Sequence, residues 1–223
     1  GVNAGSLAEA FAERADLSHA EKLAASATEY VQHFEARGFK VVVLSAKAHD
    51  VRTTVDAYRL LAAELPAIPL HIGITEAGTA FQGTIKSAAG LGALLLGGIG
   101  DTLRVSLTAD PVEEVRVAWE LLAVLGLRRR SPELVSCPTC GRCRVDLIPL
   151  ATEVEKRLQD YRLPISVAVM GCVVNGPGEA KDADVGVACG VGKGAIFAKG
   201  EILKTVNEDE IIEALFDQID RLG

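Results

Sequence analysis

Apolar positions along residues 1–127 form two recurring patterns. Short continuous apolar runs, which are typical of buried strands, are each followed by a longer stretch in which apolar residues recur at helical spacing. The pattern predicts strands over residues 41–45, 70–75 and 102–107, with residues 1–4 as the end of a further strand, and helices over residues 20–36, 51–64, 84–96 and 111–125. Four strand–helix units of this kind predict an α/β fold with a buried parallel sheet.

Four strand–helix units are half of the number in a (β/α)8 TIM barrel. A half barrel by itself would expose two apolar sheet edges, so the sequence predicts that further strands or a partner complete this region. The first residue is Gly1 rather than Met, and we expect the chain to be a piece of a longer protein.

A second region follows a change in composition at residues 128–136, where charged residues and a proline predict a linker. Beyond it, the pattern predicts a helix over residues 145–161, strands over residues 165–170, 183–188, 195–199 and 202–206, and a final helix. Asn207 is placed to cap that helix, and Glu210 is placed to complete a capping box. We therefore predict two domains, residues 1–130 and residues 131–223, the second being a small α+β unit.

Composition and charge exclude several classes of function. The 223 residues carry a net charge of -7, whereas nucleic-acid binding requires clustered Lys and Arg. The apolar stretch at residues 91–99 is too short and too rich in glycine to span a bilayer. The five cysteines are an odd number, and no secretory signal is recognisable, so we expect a cytoplasmic protein with reduced thiols rather than a disulfide framework.

Polar side chains stand at or just beyond the predicted carboxyl ends of the strands in the first region. In barrels of this kind, these ends line the active site. Lys47 and Arg104 are suited to phosphate oxygens, the lysine as a point charge and the arginine as a bidentate fork. Taken singly, such residues are as often ordinary loop residues as ligands. The full set is Asn3, Ser45, Lys47, Thr75, Glu76, Arg104 and Ser106.

The second region contains a Cys-x2-Cys pair, Cys137 and Cys140, and a third cysteine, Cys172, in a glycine-rich segment. Soft thiolates in this arrangement select zinc or an iron–sulfur cluster over magnesium or calcium. Glu179 follows Cys172 by seven residues. A carboxylate as the fourth ligand is more exchangeable than a thiolate, which points to substrate chemistry at the metal.

Two other ligand sets remain open from the residues alone. An all-thiolate zinc site would use Cys189 as its fourth ligand, together with Cys137, Cys140 and Cys172. Cys143 extends the pair to Cys-x2-Cys-x2-Cys, a spacing that ferredoxins also use. Either set gives the region a structural or electron-carrying role.

Five ordered segments of the chain resemble the signatures of the bacterial 4-hydroxy-3-methylbut-2-enyl diphosphate synthases. They are residues 1–7 (GVNAGSL), 70–78 (LHIGITEAG), 100–111 (GDTLRVSLTADP), 137–142 (CPTCGR) and 171–180 (GCVVNGPGEA). The last segment is very specific, and the five together extend over nearly the whole chain. Cys143 departs from the family pattern.

This resemblance implies the C-terminal half of a (β/α)8 TIM barrel followed by a small α+β iron–sulfur domain. The implied activity is the reductive dehydroxylation of 2-C-methyl-D-erythritol 2,4-cyclodiphosphate to (E)-4-hydroxy-3-methylbut-2-enyl diphosphate, in the non-mevalonate (MEP) pathway of isoprenoid biosynthesis. The implied cofactor is a 4Fe-4S cluster, the implied electron donor is flavodoxin or ferredoxin, and the implied assembly is a homodimer. Because the first half of the barrel would carry further phosphate ligands, we do not expect this chain alone to be active.

The resemblance also assigns roles to residues. The implied cluster ligands are Cys137, Cys140, Cys172 and Glu179, with Glu179 also acting in catalysis as a ligand that substrate replaces. The implied substrate ligands are Asn3, Lys47, Arg104 and Ser106, and Glu76 is the implied acid/base group. The alternative function is a non-catalytic one, either a ferredoxin-like electron carrier or a zinc-stabilised binding module.

Overall fold

The computed structural model of this chain describes residues 1–173 and 180–223. These residues divide into two compact units, Gly1–Arg128 and Arg129–Gly223. Both units contain helices and strands, so the α/β class predicted from the sequence is confirmed at that level. No helix in the described part of the chain combines the length and the apolar character that crossing a membrane requires.

The first unit alternates short parallel strands with helices. Strands β1 and β2 pair with each other, as do β3 and β4, and a single parallel bridge between Leu44 and Leu70 links the two pairs. Pairing between neighbours in chain order is what successive strand–helix units produce. The elements are β1 (Val2–Asn3), α1 (Glu9–Ala12), α2 (His19–Glu35), β2 (Ala46–Lys47), α3 (Val51–Glu64), β3 (His71–Gly73), α4 (Ala80–Leu96), β4 (Thr102–Arg104) and α5 (Pro111–Val124).

Three long helices of this unit, α2, α3 and α5, begin where short polar side chains accept hydrogen bonds from the first turn. Ser18 forms a capping box with Glu21 at the start of α2. Asp50 accepts a bond of 2.6 Å from the Thr53 backbone N–H at the start of α3. Asp110 accepts a bond of 2.8 Å from the Val112 N–H at the start of α5, which also has Pro111 at its first position. These bonds satisfy backbone donors that a helix start leaves without partners.

The strand predicted over residues 41–45 is wrong. The strand residues are Ala46 and Lys47, Leu44 forms only an isolated bridge to Leu70, and the side chains of Val41 and Val43 are 86% and 59% exposed. An apolar run does not fix which of its residues pair, because pairing depends on what packs over the strand. Here, Tyr58 of α3 is fully buried, and its hydroxyl accepts a hydrogen bond of 3.1 Å from the Ala46 N–H.

The core of the first unit lies between the strands and the helices. Every strand contributes an apolar residue to it, and these are Val2, Ala46, Ile72 and Leu103. The helices contribute large side chains that are fully buried, including Leu23, Tyr58, Leu61, Leu91 and Leu94. One face of the sheet is therefore covered by helices, and the other face carries the side chains that alternate with the core residues.

The second unit is built on a five-stranded sheet. The strands lie in chain order, with the first three parallel and the last two antiparallel to their neighbours. Apolar residues from the helices over 147–158 and 211–220 and from one sheet face form its larger core, and Ala168, Met170 and Phe197 belong to a smaller cluster. The elements are β5 (Glu133–Ser136), α6 (Leu147–Leu158), β6 (Ser166–Met170), β7 (Val185–Gly190), β8 (Lys193–Ala198), β9 (Glu201–Asn207) and α7 (Ile211–Asp220).

The linker predicted over residues 128–136 is wrong in its last four residues, which form the edge strand β5. The Glu133 N–H donates to the Ile165 carbonyl oxygen at 2.8 Å, and Leu134 and Val135 are half-buried. The charge and proline that indicated a linker lie mainly before the strand. Edge strands are often short and flanked by charged residues and proline, so their sequences resemble those of linkers.

Candidate functional site

The uncovered face of the first unit's sheet carries polar side chains at the carboxyl ends of the strands. Val2, Ala46 and Leu103 pack in the core, so the next residues along the chain, Asn3, Lys47 and Arg104, point to the opposite face. Asn3 is directly opposite Lys47 in the parallel ladder. The sheet register therefore brings residues from three separate segments to one level of one face.

Gly73 of β3 lies between Lys47 and Arg104. It is directly opposite Arg104, and a Cβ atom added to it would lie 3.3 Å from Lys47 Cε and 2.9 Å from the Arg104 carbonyl oxygen. A side chain at this position would thus occupy the space through which the Lys47 side chain passes. The glycine allows the lysine to extend toward Arg104.

Lys47 and Arg104 make this level of the sheet electropositive. Lys47 is only 7% exposed, and burial, reinforced by the positive charge of Arg104, lowers its pKa from the usual 10.5. Within residues 1–173 and 180–223, no carboxylate forms a salt bridge with either side chain. An anion between them would relieve the repulsion, so the arrangement favours binding of phosphate groups.

Ser106 holds the guanidinium group of Arg104. Arg104 Nε donates to Ser106 Oγ at 3.0 Å, which leaves the two terminal nitrogens for a planar anion. Glu76 lies three residues beyond β3, is exposed, and has a φ of 53°. This left-handed conformation is uncommon for a residue with a side chain, and residues in it are often found at functional sites.

The same face continues one level below. His71 is half-buried, and its Nδ1 lies 2.8 Å from Thr102 Oγ1. Burial, and then the charges of Lys47 and Arg104, lower the pKa of His71, which favours a neutral imidazole. Ser45 is half-buried two residues before Lys47, and the Thr75 N–H donates to the Ala48 carbonyl oxygen at 3.2 Å.

Two buried hydroxyl groups of α3 hold the ends of β2 and β3 in position, and the sequence analysis missed both of them. The Tyr58 hydroxyl donates to the His71 carbonyl oxygen at 2.6 Å while accepting from the Ala46 N–H, so it joins β2 to β3. Burial raises the pKa of Tyr58 and keeps it protonated. Thr54 Oγ1 contacts the Ala48 N–H and carbonyl oxygen, each at 3.2 Å. In the sequence these residues are part of an ordinary amphipathic helix. Their hydroxyl groups lie among the apolar residues of its buried face, and this is the sequence feature that could have indicated hydrogen bonds to the strands.

In the second unit, two cysteines lie at the carboxyl ends of adjacent parallel strands. Cys137 follows β5, and Cys172 is buried two residues after β6. Cys137 Sγ accepts a hydrogen bond of 3.2 Å from the Gly171 N–H, next to Cys172. The pairing of β5 with β6 therefore brings together two cysteines that are separated by 35 positions in the sequence.

The remaining three cysteines have different surroundings. Cys140 is exposed, and hydrogen bonds from the backbone and side chain of Arg142 lower the pKa of its thiol. Cys143 is half-buried and donates through Sγ to the Val145 carbonyl oxygen at 3.3 Å. Cys189 is fully buried in β7, where burial raises the pKa of its thiol to about 12 and so disfavours the thiolate that a metal ligand needs.

The donor set suits a soft metal. All five thiols are free, and the Gly171 N–H bond to Cys137 Sγ orients this sulfur. No group of three or more His, Cys, Asp or Glu side chains stands in position to hold a metal ion in the stretches 1–173 and 180–223. Glu179, predicted as the fourth ligand, lies outside these described residues, as do residues 174–178.

Comparison with known proteins extends over the whole chain. Residues 1–119 match the family model described as the GcpE TIM-barrel domain, and residues 133–221 match the GcpE protein C-terminal domain. A curated protein of Geobacter sulfurreducens, named 4-hydroxy-3-methylbut-2-en-1-yl diphosphate synthase (flavodoxin), is 55% identical over 222 residues. Proteins with the same name from Corynebacterium jeikeium and Mycobacterium leprae are each 54% identical, over 223 and 222 residues.

The three alignments cover 100% of this chain but differ in how much of each relative they include. They cover 63% of the Geobacter protein, 58% of the Corynebacterium protein and 56% of the Mycobacterium protein. The chain thus spans a little more than half of the length of these relatives.

Proposed function

Because the chain belongs to the GcpE family, we propose that it is part of a 4-hydroxy-3-methylbut-2-enyl diphosphate synthase. The enzyme reduces 2-C-methyl-D-erythritol 2,4-cyclodiphosphate to (E)-4-hydroxy-3-methylbut-2-enyl diphosphate, a step of the MEP pathway. In this reaction the cyclodiphosphate ring opens at a carbon–oxygen bond, and a hydroxyl group leaves as water. Two electrons are consumed, one proton joins the leaving hydroxyl group to form the water, and the phosphate oxygen released by ring opening remains as an anion. The names of the curated relatives support this assignment.

We propose that the first unit supplies the substrate-binding half of the site, as the second half of a (β/α)8 barrel. The observation that carries the proposal is the cationic pair Lys47 and Arg104, with no salt-bridge partner in the described residues, at the carboxyl ends of parallel strands. The diphosphate accepts hydrogen bonds from both cations and from the Asn3 amide. Ser106 orients Arg104 and donates its own hydroxyl to a phosphate oxygen. Glu76 acts as the acid/base group that transfers a proton during the reaction.

We propose that the second unit holds a 4Fe-4S cluster through Cys137, Cys140, Cys172 and Glu179. The three free thiols, two of them at adjacent strand ends, fit the soft iron of such a cluster. When bound, the cluster supplies the two electrons one at a time. The relatives' printed names support flavodoxin as the donor of those electrons. We further propose a homodimer, in which the barrel of one subunit is completed functionally by the cluster domain of the other.

The experiment uses the full-length protein, purified and reconstituted without oxygen. Iron and acid-labile sulfide are counted, and the EPR spectrum of the reduced protein is recorded with and without the cyclodiphosphate. We expect iron and sulfide in a ratio near one and a spectrum that changes when substrate is added. A zinc-containing, colourless protein would exclude the cluster, and an EPR spectrum insensitive to substrate would indicate an electron carrier.

A further inference from the structure

Cys143 packs against Gly171 at the point where the two cysteine-bearing segments meet. A Cβ atom added to Gly171 would lie 2.6 Å from Cys143 Sγ and 3.2 Å from Leu147 Cδ2. Side-chain carbons essentially never approach a sulfur this closely, so the glycine leaves the space that the Cys143 side chain fills. We call this packing the Cys143–Gly171 contact.

Backbone hydrogen bonds converge on the same place. The Arg144 N–H donates to the Gly171 carbonyl oxygen at 2.9 Å, and the Gly171 N–H donates to Cys137 Sγ at 3.2 Å. The Cys143 N–H donates to the Cys140 carbonyl oxygen at 2.9 Å, which closes the turn after the Cys-x2-Cys pair. Gly171 is therefore bonded on one side to the segment before the turn and on the other side to the segment after it.

The thiol of Cys143 is already engaged in this arrangement. Its Sγ donates to the Val145 carbonyl oxygen at 3.3 Å, and its side chain packs against the core formed by Leu147 and neighbouring residues. A thiol that fills a core position and donates to a carbonyl is placed as a packing group.

We propose that Cys143 is a positioning residue, which through the Cys143–Gly171 contact sets the distance between the Cys137–Cys140 turn and the strand end that carries Cys172. The inference rests on the proposed role of these three cysteines as metal ligands. It assigns to Cys143 a function that differs from the ligand role its Cys-x2-Cys-x2-Cys spacing allows.

The test is a double-mutant comparison at the contact. Gly171→Ala introduces the clash with Cys143 Sγ, and Cys143→Ala removes the sulfur, so the double variant restores room for the new methyl group. The approach to Leu147 Cδ2 remains, but it involves the end of a flexible side chain. Gly141→Ala is the matched control, because a Cβ atom at Gly141 in the same turn would meet nothing within 4 Å.

The first readout is Co²⁺ binding to the metal-free chain, followed by the absorbance of thiolate-to-cobalt charge transfer. We expect Gly171→Ala to weaken Co²⁺ binding by about tenfold or more, the scale on which residues supporting metal ligands act. The double variant should recover most of this loss, and Gly141→Ala should bind like wild type. Equal affinity in Gly171→Ala and wild type, or no recovery in the double variant, would overturn the proposal.

The second readout is iron and sulfide content after anaerobic reconstitution of the full-length protein. Cys143→Ser keeps a donor to the Val145 carbonyl and should retain a full cluster, whereas loss of iron in this variant would make Cys143 a ligand and refute the positioning role. A wild-type protein that takes up no cluster would contradict the proposed function. The Co²⁺ comparison would still decide the positioning role, since it needs only the thiols.

Discussion

Both units place their candidate residues at the carboxyl ends of neighbouring parallel strands, but they hold those residues in different ways. In the first unit, Asn3, Lys47 and Arg104 belong to the strands themselves, so ladder register fixes their level and face. In the second unit, the pairing of β5 with β6 brings Cys137 and Cys172 near each other, but both residues lie just beyond the strands, where Cys137 is held by a loop contact with Gly171. Strand register is specified by the alternation of core and surface residues, whereas loop contacts depend on packing at single positions.

The comparison implies different sensitivities. A site fixed by register should tolerate changes in its polar side chains without losing its geometry, because the core residues on the other face hold the strands. A site fixed by loop packing should respond to small changes in residues that touch no ligand. The following predictions test this difference, beginning with the largest expected effect.

The first prediction concerns the thiols of the second unit. Cys137→Ser, Cys140→Ser and Cys172→Ser should each abolish cluster assembly, because an alcohol does not replace a thiolate as a ligand of iron. Cys143→Ser and Cys189→Ser should leave assembly intact, the latter because the Cys189 thiol is buried and protonated. Iron and sulfide counting after anaerobic reconstitution decides the matter. Full clusters in any of the first three variants would remove that cysteine from the ligand set.

The second prediction concerns the cationic pair of the first unit, Lys47 and Arg104. In the full-length protein, Arg104→Met should weaken binding of the cyclodiphosphate by roughly 2 kcal/mol or more, the scale of a charge-assisted hydrogen bond. The iron content should not change, because Arg104 belongs to the other unit. Calorimetric titration measures the affinity, and Arg52→Met on the exposed surface of α3 is the control. Unchanged affinity in Arg104→Met would remove this residue from the substrate site.

The short apolar runs of the first unit predicted that polar side chains would lie near the carboxyl ends of its strands. Lys47 and Arg104 were expected at one edge from the pattern, and the structure brings them to one level through Gly73. The extent of β2 was not predictable, because the apolar run with its valines at 41 and 43 precedes the two residues that pair, Ala46 and Lys47. The Ala46 N–H bonds to a hydroxyl 12 residues away, on Tyr58, and a helical pattern does not reveal such a contact.

In the second unit, the ligand candidates were predictable from cysteine spacing, but their support was not. Nothing in the Cys-x2-Cys spacing indicates that Gly171 bonds to Cys137 or that Cys143 fills the space beside Gly171. The edge strand β5 was missed because it follows a charged, proline-containing segment. The support of the cysteines and the position of β5 depend on contacts between residues that are distant in sequence. Local sequence patterns do not predict such contacts.

The third prediction tests how much the Tyr58 hydroxyl contributes to the stability of the first unit. Tyr58→Phe removes a buried hydroxyl that bonds to both Ala46 and His71. We expect the free energy of unfolding to fall by about 1–3 kcal/mol, because a backbone N–H and a carbonyl are left without a partner in the core. Denaturant titration of the chain measures it. Tyr30→Phe, at an exposed position on α2, should change stability little and serves as control.

The fourth prediction has the smallest effect and concerns the pH dependence of anion binding at Lys47. Its pKa in the folded protein is lowered by burial and by Arg104, so the free site loses its proton at a pH below 10.5. The affinity for inorganic pyrophosphate should therefore fall as pH rises through this lowered pKa, by at most about tenfold per pH unit for one linked proton. The opposite sign holds for folding. The unfolded state binds more protons between the lowered pKa and 10.5, so Lys47 destabilises the fold below that window, and stability rises with pH across it.

Lys47→Arg separates this effect from general changes in charge. An arginine remains protonated throughout the window, so pyrophosphate affinity in this variant should be nearly independent of pH there, whereas Lys47→Met should bind weakly at every pH. Calorimetric titrations at several pH values give the slopes for all three proteins. If Lys47→Arg shows the same slope as wild type, the titrating group is not Lys47, and His71 on the same face becomes the next group to test, at lower pH, because its pKa is also lowered by burial and by the two cations.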